Sequence, residues 1–276
     1  MNLPEPPFFS VIVCSVNPWK FAQINACYEA LLANVPHEII AIRDASSLAE
    51  GYNRGLRRAR GDIVIFSHDD ILILDPDFAQ KISRRMRDFD ILGFAGTRRC
   101  TSPFWWHAGV PLASGAIASI RSVDNVITIV MSTWNTSPWP VVDNIQAIDG
   151  LCMIARRDAA EEIGFDEKTF DGFHLYDLDF SFSAYLAGKK LGVCCDIPVI
   201  HASEGDFGET HARYGRLFTE KFRDVLHDGT DKSAGTALAI PDYRALREIW
   251  QKDIFRRAQI ALQRRGIKLP ASSSRK

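Results

Sequence analysis

Acidic side chains cluster where an α/β protein would do chemistry. Two short apolar runs, residues 37–43 and 62–67, lead into Arg43-Asp44-Ala45-Ser46 and Ser67-His68-Asp69-Asp70. Ligands of open α/β sheets gather at the carboxyl ends of strands, so these residues stand where a substrate would be met. Vicinal carboxylates behind a buried strand repel one another, and a cation or polar ligand relieves the repulsion. A hard divalent ion, held by one or two carboxylates and by substrate phosphates, suits that pattern. Further along, Tyr176-Asp177-Leu178-Asp179 sets two carboxylates at the start of an expected helix, where the helix dipole favours them whatever else they do. Asp149-Gly150 opens an apolar run, and His201 follows another.

The elements that must position these residues alternate in type. Residues 8–15 form a continuous apolar run rich in β-branched side chains, the pattern of a strand buried on both faces. Pro18 then suits the first turn of a helix that ends near Asn34-Val35-Pro36. Strand 37–43, helix 47–60 and strand 62–67 follow, and the order βαβαβ predicts a parallel sheet with right-handed crossovers. A helix over 77–88 and a strand over 91–96 continue the pattern. Residues 97–140 hold Trp105, Trp106, Trp134 and Trp139 without a clean period, which reads as a long, partly irregular excursion serving as a lid or binding wall. Regular structure is expected again over 147–156, 157–163, 178–186 and 192–200.

Composition bounds the class. The 276 residues are 46% hydrophobic and 24% charged, which excludes disordered and fibrous chains. A formal charge of −1 gives no whole-molecule reason to expect nucleic acid as a partner. The charge is uneven, however: residues 242–276 carry +7 and the first 241 carry −8. The C-terminal stretch reads as a basic amphipathic helix, packed on the acidic body or set against an anionic membrane or acidic partner. Six cysteines without a CxxC pair read as buried hydrophobes in a reducing compartment. With no basic leader and no stretch of about 20 apolar residues, the expected location is cytoplasmic.

The segment Glu50 to Asp70 gives the pattern a family. Asn53, Gly55, Ala59 and Gly61-Asp62, then a strand and an Asp-ended tripeptide, resemble the N-x-G-x-x-x-A-x-G-D stretch before the D-x-D motif of nucleotide-sugar-dependent glycosyltransferases of family 2 type. Asp149-Gly150 with the run ending in Arg156-Arg157, the segment Tyr176 to Ser181, and His201 are similar to later motifs of the same family. The resemblance covers about residues 8–205. It implies an α/β GT-A fold, with a mainly parallel central sheet flanked by helices and a Rossmann-like N-terminal half. A catalytic domain would span 1–240, its nucleotide half about 8–100 and its acceptor half about 101–205, with the basic tail over 241–276. His68-Asp69-Asp70 replaces the commoner D-x-D, and Tyr176 stands where Glu is usual.

The resemblance also implies roles for single residues. Asp70 and His201 would hold a divalent cation, Mn or Mg. Asp44, with Asn53 and Asp69, would meet the nucleotide of a nucleoside-diphosphate sugar, a UDP-sugar first among them. Asp177 would be the general base that takes the proton of an acceptor hydroxyl, on a glycan or another acceptor, with inversion at the anomeric carbon. Asp149 would lie on the acceptor side. Asp179 would be a cap or a supporting group there, and Trp105 and Trp106 would pack under the long loop or offer ring faces to a sugar. The same fold holding a nucleotide or glycan without turnover is the alternative. Dinucleotide, Walker, zincin and hydrolase motifs are missing from the sequence, and the turn after strand one has no glycines.

Overall fold

The computed structural model describes residues 6–110, 112–123, 126–134, 139–203, 205, 207–229, 236–240, 244 and 248. Strands β1 (Phe9–Cys14), β2 (His37–Ile42) and β3 (Ile63–Ser67) alternate with helices α1 (Pro18–Leu31) and α2 (Leu48–Leu56), as the apolar runs predict. Both helices begin on side-chain caps: Asn17 accepts from the N–H groups of Trp19 and Lys20, and Ser47 from that of Glu50. Next come β4 (Ile71–Ile73), α3 (Phe78–Arg85), β5 (Ile91–Gly93), β6 (Ala95–Thr97) and a 3-10 turn at Trp105–Ala108. Strands β7 (Ala113–Val123), β8 (Val126–Trp134), β9 (Val141–Ile145), β10 (Ala147–Ile148) and β11 (Cys152–Arg156) lead to α4 (Arg157–Ile163) and α5 (Tyr176–Leu186). The described part closes with β12 (Leu191–Cys194), β13 (Val199–His201), α6 (Glu209–Lys221) and β14 (Thr236–Ile240).

Two sheets share these strands. The central one has the order β2-β1-β3-β11-β5-β12-β9. Its strands β2, β1 and β3 are parallel, and β11 is antiparallel to both β3 and β5, so β5 and its parallel neighbour β12 run in the direction of β3. Only β11 and β9 oppose that direction, so the sheet is mainly parallel. The second sheet has the order β10-β6-β7-β13-β4, with β8 paired to β7 and β14 to β8. One core runs through the central sheet and its helices, with Tyr28, Tyr52, Phe66, Phe78 and Phe180 fully buried.

Five stretches change sheets within a few residues. The chain leaves the central sheet after β3 and joins the second at β4; it crosses again between β5 and β6, between β9 and β10, between β10 and β11, and between β12 and β13. The runs expected as single strands over 91–96, 147–156 and 192–200 are therefore each two strands. A buried run looks equally apolar whichever sheet it feeds, so sequence periodicity does not mark the break.

The stretch 97–140 is also more regular than expected. Its centre is a long antiparallel hairpin, β7 with β8, paired from Gly115↔Trp134 to Val123↔Val126. Burial alternates along β8, with Ile129, Met131 and Thr133 inward. Ala, Ser and Thr make that alternation faint in the sequence. Helix α6 was not anticipated either, and apart from residues 244 and 248 the expected basic C-terminal helix lies outside the described residues. No helix among the described residues is long and apolar enough to cross a membrane.

Candidate active site

The sheet crossings build the site. His68, Asp69 and Asp70 fill the step from β3 to β4, and Asp149 to Leu151 fill the step from β10 to β11. The two steps are tied together by the His68 N–H, which donates to the Leu151 carbonyl at 3.0 Å. Antiparallel pairing of β13 with β4 sets His201 opposite Ile71, one residue from Asp70, and the Ala202 N–H donates to the Asp70 carbonyl at 2.9 Å. Sheet register thus brings together ligand-type side chains that are far apart in sequence.

Their atoms converge. His201 Nε2 lies 3.2 Å from His68 Nδ1, 3.3 Å from Asp70 Oδ1 and 3.0 Å from Ser203 Oγ. The remaining side of the triangle, His68 Nδ1 to Asp70 Oδ1, is 4.0 Å. Ligand atoms about 2.1 Å from one ion and separated by tetrahedral or octahedral angles stand about 3.0–3.5 Å apart, so two sides of the triangle already match. Two imidazoles and a carboxylate are a donor set for a divalent metal. The other Asp70 oxygen faces Lys20 Nζ at 3.4 Å. Burial would raise the Asp70 carboxyl, but the hydrogen bond and charge of His201, with His68 and Lys20, hold it well below the usual carboxylate range. Burial, and then the neighbouring His201, push His68 down and keep it neutral.

Beside this triad opens a cavity of about 410 Å³. Trp106, Trp134, Phe173 and Phe207 contribute to its walls, and His68, His201, Asp149 and Asp177 also line it. Leu175, in the left-handed region at φ 60°, turns the chain into α5 and sets Tyr176 and Asp177 at its start. Asp177 Oδ2 accepts the Gly150 N–H at 2.7 Å. Burial, and then the nearby Asp149 charge, push its carboxyl up to about 7 despite that bond. Only glycine fits at position 150, because a Cβ there would lie 2.5 Å from Tyr176 Oη and 2.6 Å from Asp177 Cβ. The Tyr176 hydroxyl lies 2.7 Å from His68 Nε2 and donates to the Gly150 carbonyl at 3.3 Å. Burial keeps that hydroxyl protonated.

The expected site residues divide into two sets. His201, Asp70, Asp149 and Asp177 are brought to the triad and its cavity. Asp69 stands beside them, held by the Ser15 hydroxyl at 2.6 Å. Asp44 lies at the same sheet edge, at the end of β2, with its carboxylate 79% exposed and paired to Arg54 at 2.9 Å. Asn53 is elsewhere engaged: its amide donates to the Phe165 carbonyl and to Glu167, both at 2.8 Å, and accepts the Phe165 N–H at 2.9 Å. It clamps α2 to the segment after α4. Asp179 is buried away from the cavity and pairs with Lys221 of α6 at 2.6 Å. Trp105 is largely buried in the cavity wall, its indole N–H donating to Asp149 Oδ2 at 2.9 Å, so it braces a carboxylate.

Much of the motif in Glu50 to Asp70 is therefore architectural. Gly61 lets the lead into β3 lie against β1, where a Cβ would meet the Ser10 nitrogen at 2.6 Å, and Asp62 accepts the Phe8 N–H at 3.0 Å. The sequence reading missed His68 as a ligand-type group, Tyr176 as its neighbour, and Ser15 and Lys20 as partners of the acidic pair. A histidine in the D-x-D position is itself a ligand type and could have been counted. Ser15 and Lys20 carry no such signal, since only the β1–β3 pairing brings them to residues 69 and 70.

Solved structures resemble the chain at low identity. The mannosyltransferase PcManGT from Pyrobaculum calidifontis, in complex with GDP-Man and Mn2+, is 13% identical, with a TM-score of 0.48 over 98% of this chain and 80% of its own. GalNAc-T7 with UDP, GalNAc and Mn2+ is 12% identical, with a TM-score of 0.47 over 79% of this chain and 50% of its own. TarS 1-349 from S. aureus is 14% identical, with a TM-score of 0.40 over 79% of this chain and 72% of its own. Among curated proteins no sequence matches the chain. The sequence model described as "Glycosyltransferase like family" matches residues 10–222, which include the central sheet from Ser10 on, the second sheet except β14, the triad and the cavity walls. The mixed α/β architecture is accordingly the GT-A fold, and the chain belongs to this glycosyltransferase family.

Proposed function

We propose that the chain transfers a sugar from a nucleoside-diphosphate sugar, a UDP-sugar first among them, to a hydroxyl of a glycan or similar acceptor, inverting the anomeric centre. One observation carries the reading: a carboxyl poised near neutrality, Asp177, opens onto the same aromatic cavity as the His68–His201 pair. The N-terminal half, about residues 8–100, supplies the donor side, with Asp44 and Asp69 toward the nucleotide. The half from 101 to 205 supplies the acceptor side.

Asp70 and His201 would hold a divalent cation, Mn or Mg, which when bound neutralises charge on the leaving diphosphate. Asp177 takes the acceptor hydroxyl proton as the new glycosidic bond forms. A general base titrating near 7 is well matched to that task and contributes about 10²–10⁴ in rate. Asp149, oriented by Trp105, keeps a second negative charge beside Asp177 and so sustains its basicity. A single base acting opposite the leaving group inverts configuration. Trp106 and Trp134 offer apolar surface to the acceptor and exclude water from the reacting centre.

The test is a thermal-shift panel of UDP-, GDP-, CMP- and dTDP-sugars with and without Mn2+, followed by transfer assays on the nucleotide that binds. Asp177→Asn is expected to abolish transfer while retaining nucleotide binding. Transfer at the parent rate in that variant overturns the base assignment. Nucleotide binding without turnover in the parent chain would establish the binding-module alternative.

A further inference from the structure

His68 and Tyr176 are the two positions at which the motifs of this chain depart from the commoner acidic residues, and they touch each other. His68 Nε2 and Tyr176 Oη are 2.7 Å apart. The Tyr176 hydroxyl has one proton, and the Gly150 carbonyl is within 3.3 Å to accept it. With that proton so directed, the hydroxyl oxygen is an acceptor, and His68 must carry its hydrogen on Nε2. The lone pair of Nδ1 then faces His201 Nε2 and Asp70 Oδ1. Hydrogen-bond partners on the far nitrogen set the tautomer of a metal-binding histidine and orient its ring. Lys20 holds the outer oxygen of Asp70 and leaves Oδ1 turned toward the same point.

We propose that His68 is a third protein ligand of the cation site, held in its ligating tautomer by Tyr176, and that the resulting two-imidazole, one-carboxylate set selects a first-row transition ion over Mg2+. The inference rests on the metal-assisted reading above and names which ion that site takes. Its logic is ligand chemistry. Mg2+ favours all-oxygen surroundings and sheds water reluctantly, whereas imidazole nitrogen suits transition ions. Replacing an acidic ligand by a neutral imidazole also lowers the negative charge that a purely electrostatic Mg2+ site requires. Tyr176 is a positioning residue in this scheme: it acts on the ion through His68.

The experiment measures Mn2+ affinity of the full chain without nucleotide or acceptor, from the free-ion electron paramagnetic resonance signal, with Mg2+ as competitor. Tyr176→Phe keeps the ring and removes the acceptor for the His68 N–H, and is expected to weaken Mn2+ binding about 10–100-fold. His68→Asn is expected to weaken it at least as much. In the His68→Asn background, Tyr176→Phe should cause no further loss, because the tyrosine acts through the histidine. Melting in the absence of metal confirms that each variant is folded. Native Mn2+ affinity in His68→Asn, an additive loss in the double variant, or displacement of Mn2+ by equimolar Mg2+ each overturns the proposal. None of these readings depends on sugar transfer, so failure of the ligand assignment and failure of the glycosyltransferase reading are told apart.

Discussion

Asp177→Asn should separate catalysis from stability, and the structure sets the size of both effects. The Asp177 carboxyl is raised from 3.8 to about 7, first by burial and then by Asp149. The folded chain therefore holds a proton that the unfolded chain has released between those two values. Its contribution to stability is fully present below pH 3.8 and is lost as pH rises through about 7. Three pH units correspond to about 4 kcal/mol of strain at pH 8, a ceiling because the carboxyl borders an open cavity; about 2 kcal/mol is the working figure. An asparagine carries no charge, and its oxygen can still accept the Gly150 N–H that Asp177 accepts at 2.7 Å. The variant should thus be more stable than the parent by about 2 kcal/mol at pH 8 and by about two-fifths of that at pH 5. Urea unfolding midpoints at the two pH values measure this, alongside a fall in transfer of about 10²–10⁴. An equal change at both pH values, or a loss of stability at pH 8, would show that Asp177 is not held charged against its surroundings.

Other substitutions probe the scaffold around that carboxylate. Gly150→Ala forces a Cβ to within 2.6 Å of Asp177 and should cost about 1–3 kcal/mol in unfolding experiments, with kcat falling about 100-fold in the folded fraction. Unchanged kcat there would mean that the Gly150 contact does not place the base. Lys221→Met strips the partner from Asp179, whose carboxyl burial already raises to about 6, so stability should fall by about 2 kcal/mol at pH 8 and less at pH 5. Transfer by the folded protein should be unaltered, since Asp179 lies outside the cavity. Asn53→Ala should cost about 1–2 kcal/mol through its lost hydrogen bonds to Phe165 and Glu167. Nucleotide affinity, measured by calorimetry, should stay within about twofold; a larger loss would return Asn53 to the donor site.

The sheet crossings are where local sequence rules stop describing the chain. Strands β1, β2 and β3 and helices α1 and α2 are legible because they obey local rules: continuous apolar runs for buried strands, capping residues before each helix. The same rules mislead at 91–96, 147–156 and 192–200, where one apolar run serves two sheets. Those breaks, with the step from β3 to β4, include both turns from which the site is built. Helix α6 gave no such cue, yet its Lys221 is the partner of Asp179, which the motif alone marks as a cap or supporting group.

Alone, the sequence determined the residue types at strand ends, the βαβαβ start and the family, because strand periodicity, capping and motif spacing are properties of neighbours along the chain. The tertiary structure alone decided that His68 faces His201 across 3.2 Å, that Tyr176 supports it, and that Asn53, Asp179 and Trp105 brace the scaffold. The physical reason is that a side chain's role depends on which partners satisfy its donors, acceptors and charge, and those partners arrive by strand register and sheet crossing from residues dozens to more than a hundred positions away.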